Sequence, residues 1–350
     1  MSNQRYESYY EIHESYKTIT QTLEKIQAYS SGIEDFFSNA SKESDLLFIA
    51  CGSSYWMSLS AAKTLQYHTG RRAVAVKAGD VVMAPEEHRH SYKNPVIIAP
   101  SRSGRSKELL DAISILKQQY PNLKLFSITA YEENLLASLS DYNISIPWAN
   151  EVSVCQTRTF NSLWVSFIGI TSILTKNCGL TASLNDYLSH APILYKEAAE
   201  KIKQIAAGPI DSLVALGCGR IYGIVIEGAY IVIEMAEMTA TYYQLLEYRH
   251  GPIVTAGKNL LACVCGFNET TAQAENQMIS EIKQQGAGAL LVTDKYRGGC
   301  HDYIFELGKN YPPEIISLYY IFIMQSLAYH LSIQRGGDPD NPGELPRYIS

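Results

Sequence analysis

Short apolar runs alternate with longer, helix-length segments along most of the chain. Each run is bounded by turn residues and has the length of a strand that is buried on both faces of a sheet. The runs are DLLFIA (45–50), AVAVK (73–77), PVIIAP (95–100), KLFSITA (124–130), YNISIP (142–147), SLVALG (212–217), NLLACVCGF (259–267), ALLVTD (289–294) and YIFELG (303–308). Together they predict an α/β protein with parallel sheets.

The second half of the chain repeats the order of the first. Matching runs are separated by about 160 to 166 residues, and Thr129 of SITA corresponds to Thr293 of LVTD. This self-similarity is typical of a duplication. We therefore predict two similar doubly wound, parallel-sheet domains at residues 45–190 and 200–335, after an N-terminal helical segment at residues 1–44.

The composition is that of an ordinary globular chain. The 350 residues are 46% hydrophobic and 18% charged, and the formal net charge is −6. A negative net charge argues against nucleic-acid or anionic-membrane binding. The stretch MSNQRYESYYEIHESYK lacks the apolar centre of a signal peptide, and the apolar windows near 163–174 and 224–235 are too short to span a bilayer. We expect a cytoplasmic protein with no nucleic-acid or membrane partner.

The seven cysteines are scattered without regular spacing, which is typical of reduced thiols in the cytoplasm. Cys263 and Cys265 point to the same face of a predicted strand, but no second pair or nearby histidine completes a metal site. His88 and His90 in EEHRH have the composition of a solvated loop. We expect no metal and no cofactor.

Two serine-rich loops follow predicted strands of the first half, where ligands bind in open α/β sheets. They are CGSS (51–54) and SRSGRS (101–106), and each precedes a helix-length segment. Free amides at a helix start, with serine hydroxyls beside them, favour a phosphate group. Serine is also a common helix cap, so one such loop alone is equally compatible with a structural role. Two of them favour a phosphate pocket, whereas GCGR (217–220) in the second half has fewer hydroxyls.

A nearly apolar helix, GIVIEGAYIVIEMAEM, carries two glutamates on one face. Glu227, Ile231 and Glu234 are spaced i, i+4, i+7. Burial of a carboxylate is costly unless it is partnered or protonated, and it raises the pKa toward the range useful for acid–base catalysis. From the pattern alone, either glutamate is a candidate acid–base group or a structural bridge. His250 in EYRHGP falls in a loop, where a lone histidine is usually only a solvated side chain.

Six stretches of the sequence fall in order and together span nearly everything after residue 44. They are CGSSY, SRSGRS, EVSVCQTRTF (151–160), LGCGRIYGIVIEGAYIVIEMAE (216–237), EYRHGP (247–252) and SLAYHLSIQRGGDPDNPGELPR (326–347). In these stretches the chain resembles the sugar isomerase (SIS) domain family in its double-domain form. That form includes the isomerase half of glucosamine-6-phosphate synthase and the fructosamine-6-phosphate deglycases. The resemblance implies two flavodoxin-like SIS domains and a phosphorylated sugar as ligand.

In that family the CGSS-like and SxSGx[ST] loops hold the sugar phosphate. The resemblance extends this role to Gly52, Ser53, Ser54, Ser101, Ser103 and Ser106. Two positions depart from the pattern, because Arg102 replaces the usual glutamine and Arg105 the usual glutamate. Arg102 is expected either to contact the phosphate or another anionic group of the substrate, or to point to solvent with only its amide involved. The role of Arg105 stays open.

The resemblance also implies an acid–base pair. Glu234 matches the family's proton-transferring glutamate, and Glu227 looks structural. His250 matches the catalytic histidine of a KHGP-like motif, 16 residues after Glu234 as in the family. A neutral imidazole suits ring opening of a cyclic sugar phosphate. In relatives this loop enters the neighbouring subunit's site, which implies a homodimer or higher homo-oligomer, and the tail at residues 336–350 is expected to line the active site.

Three further positions separate the chain from the synthase. Ile231 replaces a lysine one turn before the catalytic glutamate, Arg347 replaces the lysine that can meet the sugar carbonyl, and Gln156 replaces a serine near the sugar. Arginine does not readily form a Schiff base. About 44 residues precede the first predicted strand, too few for the synthase's glutamine-hydrolysing domain, so ammonia transfer is not expected. Arg347 and Gln156 are candidate phosphosugar contacts.

A glutamate–histidine pair without the lysine is the pattern of the deglycases. We therefore expect cleavage of a 6-phosphorylated ketosamine, an adduct of a sugar and an amino acid, into an aldose 6-phosphate and a free amine. The same pair also suits an aldose–ketose isomerase or an amino-sugar-phosphate deaminase. A non-catalytic sugar-phosphate sensor is a third alternative, although such regulators usually carry a fused DNA-binding domain and a single SIS domain. No spacing rule specifies the amine half of the substrate.

Overall fold

The computed structural model describes residues 6–40 and 42–346, so the candidate contact Arg347 lies outside the described residues. Helices in the described part are α1 (Glu7–His13), α2 (Ser15–Ala28), α3 (Ser30–Ser38), α4 (Gly52–Thr69), α5 (Ala78–Met83), α6 (Pro85–His88), α7 (Lys107–Gln119), α8 (Leu135–Leu139), α9 (Arg158–Thr175), α10 (Cys178–Ala206), α11 (Tyr222–Ala236), α12 (Ala272–Gln284) and α13 (Pro313–Gln334). The strands are β1 (Leu46–Ala50), β2 (Ala73–Lys77), β3 (Val96–Ser101), β4 (Lys124–Thr129), β5 (Tyr142–Ser145), β6 (Ser212–Gly217), β7 (Thr239–Gln244), β8 (Leu260–Cys265), β9 (Gly288–Thr293) and β10 (Tyr303–Glu306).

The strands form two five-stranded sheets with the same order. The first sheet runs β2-β1-β3-β4-β5, and the second, read in the matching direction, runs β7-β6-β8-β9-β10. Every strand pair in both sheets is parallel. The predicted α/β class with two parallel sheets is therefore confirmed, while the doubly wound and flavodoxin-like descriptions stay predictions.

The hydrophobic pattern locates every strand of these sheets except β7. This strand lies at the edge of the second sheet and pairs with β6 alone. In its sequence, TATYYQ, one residue is buried and the others are exposed or half-buried. An edge strand that is open to solvent on one side produces no continuous apolar run, so the pattern that finds buried strands does not detect it.

The chain divides into two compact units, each built around one sheet. The first unit comprises residues 17–40, 42–151, 158–181 and 346, and the second comprises residues 6–16, 152–157 and 182–345. The second unit thus includes α1 and the short segment 152–157, which precede its sheet in sequence. The domain limits drawn from the sequence stay predictions.

The core of the first unit fixes the ends of its central strands. Both β1 and β3 are buried along their whole length. The ring of Phe48 in β1 lies edge-on to Phe167 of α9, with 5.1 Å between the centroids. A side chain at Gly169 of α9 would come within 3.0 Å of Ile26, so this glycine lets α2 approach closely. The strand ends that lead into the two serine-rich loops are therefore held rigidly by packing.

The core of the second unit is built on α11 and α13. A side chain at Gly228 of α11 would lie 2.8 Å from the ring of Tyr320 on α13, so glycine permits the close crossing of these helices. Within the described residues, α13 is long and apolar enough to cross a membrane, a helix that the sequence windows did not single out. However, 94% of its apolar window is buried inside the protein, as in a core helix.

Candidate functional site

The first sheet changes direction between β1 and β3. These neighbouring strands pair directly, with Leu46 opposite Val96. The chain continues from β1 to β2 on one side and from β3 to β4 on the other. Loops that leave in opposite directions open a crevice at the carboxyl ends of the strands, which is the usual ligand position in such sheets. The structure brings the two predicted phosphate loops, 51–54 and 101–106, to this edge.

The loop after β1 turns directly into α4. Gly52 has a φ of +52°, in the left-handed region that favours glycine. Ser53 and Ser54 follow in the first helical turn and are each 4% exposed. The first amides of an α-helix have no acceptor within the helix, and the preceding Cys51 supplies no side-chain cap. This loop therefore presents amide and hydroxyl donors suited to an anion.

The loop after β3 is held in shape by its own serines. The Ser101 Oγ accepts a hydrogen bond from the Gly104 amide at 3.0 Å, and the Ser103 Oγ accepts one from the Arg105 amide at 3.2 Å. Because a hydroxyl has one proton to donate as well as lone pairs to accept, both serines retain a donor for a ligand. Gly104 has a φ of +63°, and any side chain there would collide with the Asn134 amide.

Ser106 stands at the N-cap position of α7 without capping it. Its side chain makes no cap hydrogen bond, although serine is among the best capping residues. In contrast, the Asn134 side chain does cap its helix, since its Oδ1 accepts from the Ala137 amide at the start of α8. Helix capping therefore does not explain the serine at position 106, and its hydroxyl can bind another partner.

Arg102 is buried and paired with a carboxylate. Its Nη1 lies 3.3 Å from Oε2 of Glu151, and the two side chains are 8% and 0% exposed. The other oxygen of Glu151 accepts a hydrogen bond from the Thr159 amide, 2.9 Å away, in the first turn of α9. The expectation that Arg102 points to solvent is wrong, and its contact with the phosphate or another anionic group of the substrate stays a prediction.

Arg105 belongs to the surface instead. It is exposed, and its Nη2 donates to the Glu133 carbonyl at 3.2 Å. Its guanidinium also lies 5.8 Å from the centre of the Tyr131 ring. These contacts account for the arginine at this position without a ligand.

The thiol of Cys51 lies at the start of the first loop and stays protonated. Burial, followed by the nearby Glu108 carboxylate, raises its pKa to about 11. A thiol with such a pKa is a poor nucleophile at neutral pH. Cys51 therefore lies at the loop but is not expected to act as a nucleophile.

Helix α11 in the second unit carries the candidate acid–base group. Glu234 is half-buried, whereas Glu227 and Ile231 are fully buried. Tyr230 lies one turn before Glu234. Burial raises the pKa of Tyr230 to about 12, and the carboxylates of Glu234 and then Glu227 contribute to the rise. Sequence reasoning missed Tyr230, although its i, i+4 spacing from Glu234 was a usable signal. The Tyr230 phenol beside Glu234 therefore stays protonated at neutral pH.

His250 occupies a firmly anchored loop of the second unit. It follows a 3-10 turn at Glu247–Arg249, and its amide donates to the Glu247 carbonyl at 3.1 Å. Tyr248 is fully buried, and Arg249 forms an ion pair with Glu281 at 3.0 Å. The His250 ring is exposed and makes no hydrogen bond within residues 6–40 and 42–346. The loop is thus fixed while its histidine stays accessible.

Gln156 lies in the irregular segment 152–157 of the second unit. Its Oε1 is buried and has no hydrogen-bond partner in the described part of the chain. The neighbouring Cys155 lies near enough to Tyr230 to influence the pKa of that phenol. Gln156 therefore directly follows Cys155, which lies close to Tyr230 on the face of α11 that carries Glu234.

The corresponding edge of the second sheet is filled by protein groups. A side chain at Gly219, after β6, would lie 2.6 Å from the ring of Phe267, which follows β8. The Arg220 guanidinium covers the same ring at 5.2 Å and pairs with buried Glu314. The Phe267 amide donates to Glu275 at 2.9 Å. Donors at this edge are taken up internally, unlike the serine hydroxyls of the first sheet.

The candidate metal residues do not assemble. Cys263 and Cys265 are buried in β8, and burial raises the pKa of both thiols. His88 contacts the Tyr92 hydroxyl at 2.8 Å instead of a second histidine. In the described ranges no group of three or more His, Cys, Asp or Glu side chains is arranged to hold a metal ion.

Comparison with known proteins matches residues 40–168 to the SIS domain family. The glutamine–fructose-6-phosphate aminotransferase (isomerizing) of Sulfurisphaera tokodaii is 24% identical over 345 residues, which cover 97% of this chain and 56% of the relative. The chain thus spans about half the length of the curated relatives it matches.

Solved structures share the fold over nearly the whole chain. The tagatose-6-phosphate ketose/aldose isomerase from Escherichia coli superposes with a TM-score of 0.86 at 19% identity, covering 97% of this chain and 96% of that one. The glucosamine-6-phosphate deaminase from Thermotoga maritima gives 0.74 at 24% identity, covering 94% and 99%. At these identities the likeness shows the fold alone. Residues 40–168 thus match the SIS domain family, and the chain shares the fold of these solved structures.

Proposed function

We propose that this protein cleaves a 6-phosphorylated ketosamine into an aldose 6-phosphate and a free amine, as a deglycase of the SIS family. The observation that carries the proposal lies on α11. Glu234 is half-buried beside the protonated phenol of Tyr230, while Ile231, where the synthase has a lysine, is buried in the core. The replacement of this lysine by an apolar side chain suits proton transfer on a substrate that brings its own nitrogen.

In the proposed reaction the serine loops of the first unit bind the phosphate through their amides and hydroxyls. The residues are Gly52, Ser53, Ser54, Ser101, Ser103 and Ser106. His250 assists ring opening by moving the anomeric proton. Glu234 then takes a proton from C1 and returns one to C2, which converts the ketosamine into an aldose imine. Water adds to the imine carbon and the amine leaves, so no redox partner is needed.

The proposed enzyme is a homodimer or higher homo-oligomer that uses His250 of one subunit in the site of another. Two apolar side chains near His250 support this: Leu246 is 44% exposed and Val254 is 82% exposed. Apolar side chains displayed beside an accessible functional group are typical of an interaction surface. The cytoplasmic location also stays a prediction.

The test is a substrate panel in which the amino acid varies. The purified protein should release an aldose 6-phosphate from at least one of the 6-phosphates of fructoselysine, glucoselysine and fructose-asparagine. In D₂O a ketosamine substrate should yield a product with deuterium at C2, because Glu234 exchanges its proton with solvent. Glu234→Gln should lower kcat by at least about 10²-fold, and Glu237→Gln, at an exposed carboxylate just after α11, is the control. Absence of turnover on every adduct, or full activity of Glu234→Gln, refutes the proposal.

A second candidate is supported by the structural neighbours. One is named as a ketose/aldose isomerase and another as an amino-sugar-phosphate deaminase, and both share the fold over nearly the whole chain. This alternative predicts turnover of a simple hexose or hexosamine 6-phosphate that carries no amino acid. Including these two substrates in the panel separates the candidates.

A further inference from the structure

The segment 152–157, which carries Gln156, has no helix or strand of its own to fix it. Its position depends on contacts from other parts of the second unit, and most of the segment is nevertheless buried. Ser153 and Thr157 have no exposed surface and Cys155 has 1%. A buried irregular segment needs a partner for each backbone group, so the groups that supply those partners determine where Gln156 lies.

Glu11 of α1 supplies the first set of partners. One carboxylate oxygen accepts from the amides of Val152 and Ser153, the second of these at 3.4 Å, and the other accepts from the Ser153 hydroxyl. Glu11 is buried, with 2% of its surface exposed. A buried carboxylate is costly unless donors satisfy it, and these charge-assisted bonds therefore fix the carboxylate and the segment to each other.

Two further residues hold the segment from other sides. The Asp340 carbonyl accepts from the Val154 amide at 2.9 Å, and the buried Gln325 of α13 donates to the Thr157 carbonyl at 3.2 Å. The Asp340 carboxylate also accepts from the amides of Glu7 and Ser8, both at 2.8 Å, at the start of α1. Asp340 thus joins the helix that carries Glu11 to the segment that Glu11 holds.

We propose that Glu11 is a positioning residue that holds segment 152–157 so that the Gln156 side chain meets the amine half of the substrate. This inference rests on the proposed function. The buried Oε1 of Gln156 has no partner in the described residues and is an acceptor, so it fits an N–H donor such as the protonated amino group of an amino-acid adduct. Glu11 acts through the segment and does not touch the substrate.

The experiment is a double-mutant cycle with Glu11→Ala, Gln156→Ala and both together. Each single variant should raise KM for the best ketosamine 6-phosphate about tenfold, the loss expected for one charge-assisted hydrogen bond, while kcat changes less than about twofold. Affinity for glucose 6-phosphate, which lacks the amine, should not change. The double variant should be no worse than Gln156→Ala alone, because both act on one contact. Additive losses, or an equal loss of glucose 6-phosphate affinity, overturn the proposal.

Two further variants control for folding. Glu7→Ala removes an exposed carboxylate from the same helix and should leave KM unchanged. Glu11→Gln retains one oxygen that can accept from Val152 and should give an intermediate KM, whereas a purely structural defect would lower kcat as well. A KM equal to that of the wild type in Glu11→Gln and Glu11→Ala counts against the proposal.

Hydrogen exchange separates failure of this inference from failure of the proposed function. In Glu11→Ala the amides of Val152 and Ser153 should exchange at least about tenfold faster than in the wild type, whatever the substrate proves to be. If no adduct is turned over but this exchange accelerates, Glu11 holds the segment and the proposed reaction is wrong. Unchanged exchange at these amides refutes the positioning role directly.

Discussion

The Nη1 of Arg102 lies 3.3 Å from the Oε2 of Glu151, and both side chains are almost entirely buried. Glu151 also accepts a hydrogen bond from the Thr159 amide at the start of α9, so one carboxylate joins the loop after β3 to a helix of the core. A guanidinium paired with a buried carboxylate is partly neutralised and attracts phosphate less than a free one. We therefore expect Arg102 to hold the phosphate loop in place more than to bind the phosphate.

Arg102→Gln should destabilise the protein more than it weakens phosphate binding. Removing the cation deprives the buried Glu151 of one charge-assisted bond, which lowers the free energy of unfolding by about 2 kcal/mol. Arg102→Gln/Glu151→Gln should recover part of this loss, because the uncompensated charge is gone. Urea unfolding measures the stability, and calorimetric titration with glucose 6-phosphate measures the affinity. Loss of binding with unchanged stability would instead identify Arg102 as a direct phosphate ligand.

The sequence anticipates every strand except β7, and the position of the two serine-rich loops, because their signals are local. Continuous apolar runs mark β1 and β3, and the serines follow within a few residues of each strand end. The role of Glu151 is not predictable in this way. It belongs to the stretch EVSVCQTRTF, but its partner Arg102 is 49 residues away. Glu11 is 141 residues from Val152. Pairs at such separations are created by tertiary packing, which spacing rules do not describe.

Ser106→Ala distinguishes a phosphate ligand from a helix cap. Since Ser106 makes no side-chain cap bond, its loss should leave the free energy of unfolding within about 0.5 kcal/mol of the wild type. Affinity for glucose 6-phosphate should fall about tenfold with the loss of one donor to a charged group. Asn134→Ala is the contrasting variant, because Asn134 does cap α8 and its removal should cost about 1 kcal/mol. A stability loss in Ser106→Ala without a change in affinity would favour the structural role.

Labelling of Cys51 reports on the first loop without requiring turnover. Its pKa is raised to about 11, so at pH 8 only about one thiol in 10³ is a reactive thiolate, and the fraction rises about tenfold per pH unit up to pH 11. Iodoacetamide should therefore modify the exposed Cys178 and Cys300 first. Bound glucose 6-phosphate should slow the labelling of Cys51 further, because a phosphate on the neighbouring amides adds negative charge and blocks access. Equal slowing at Cys178 and Cys300 would mean a global effect, and no slowing at Cys51 would argue against phosphate at this loop.

The proposed use of His250 in another subunit predicts complementation between two inactive variants. Glu234→Gln and His250→Asn should each be nearly inactive alone. When they are co-expressed with different affinity tags and the mixed dimer is isolated, one of its two sites combines the unmutated Glu234 of one subunit with the unmutated His250 of the other. That dimer should recover about half of the wild-type activity, as the symmetry of a shared site requires. If each subunit used its own histidine, both sites would contain one defect and the mixed dimer would stay inactive. The exposed His250 ring and the exposed Leu246 and Val254 beside it favour recovery.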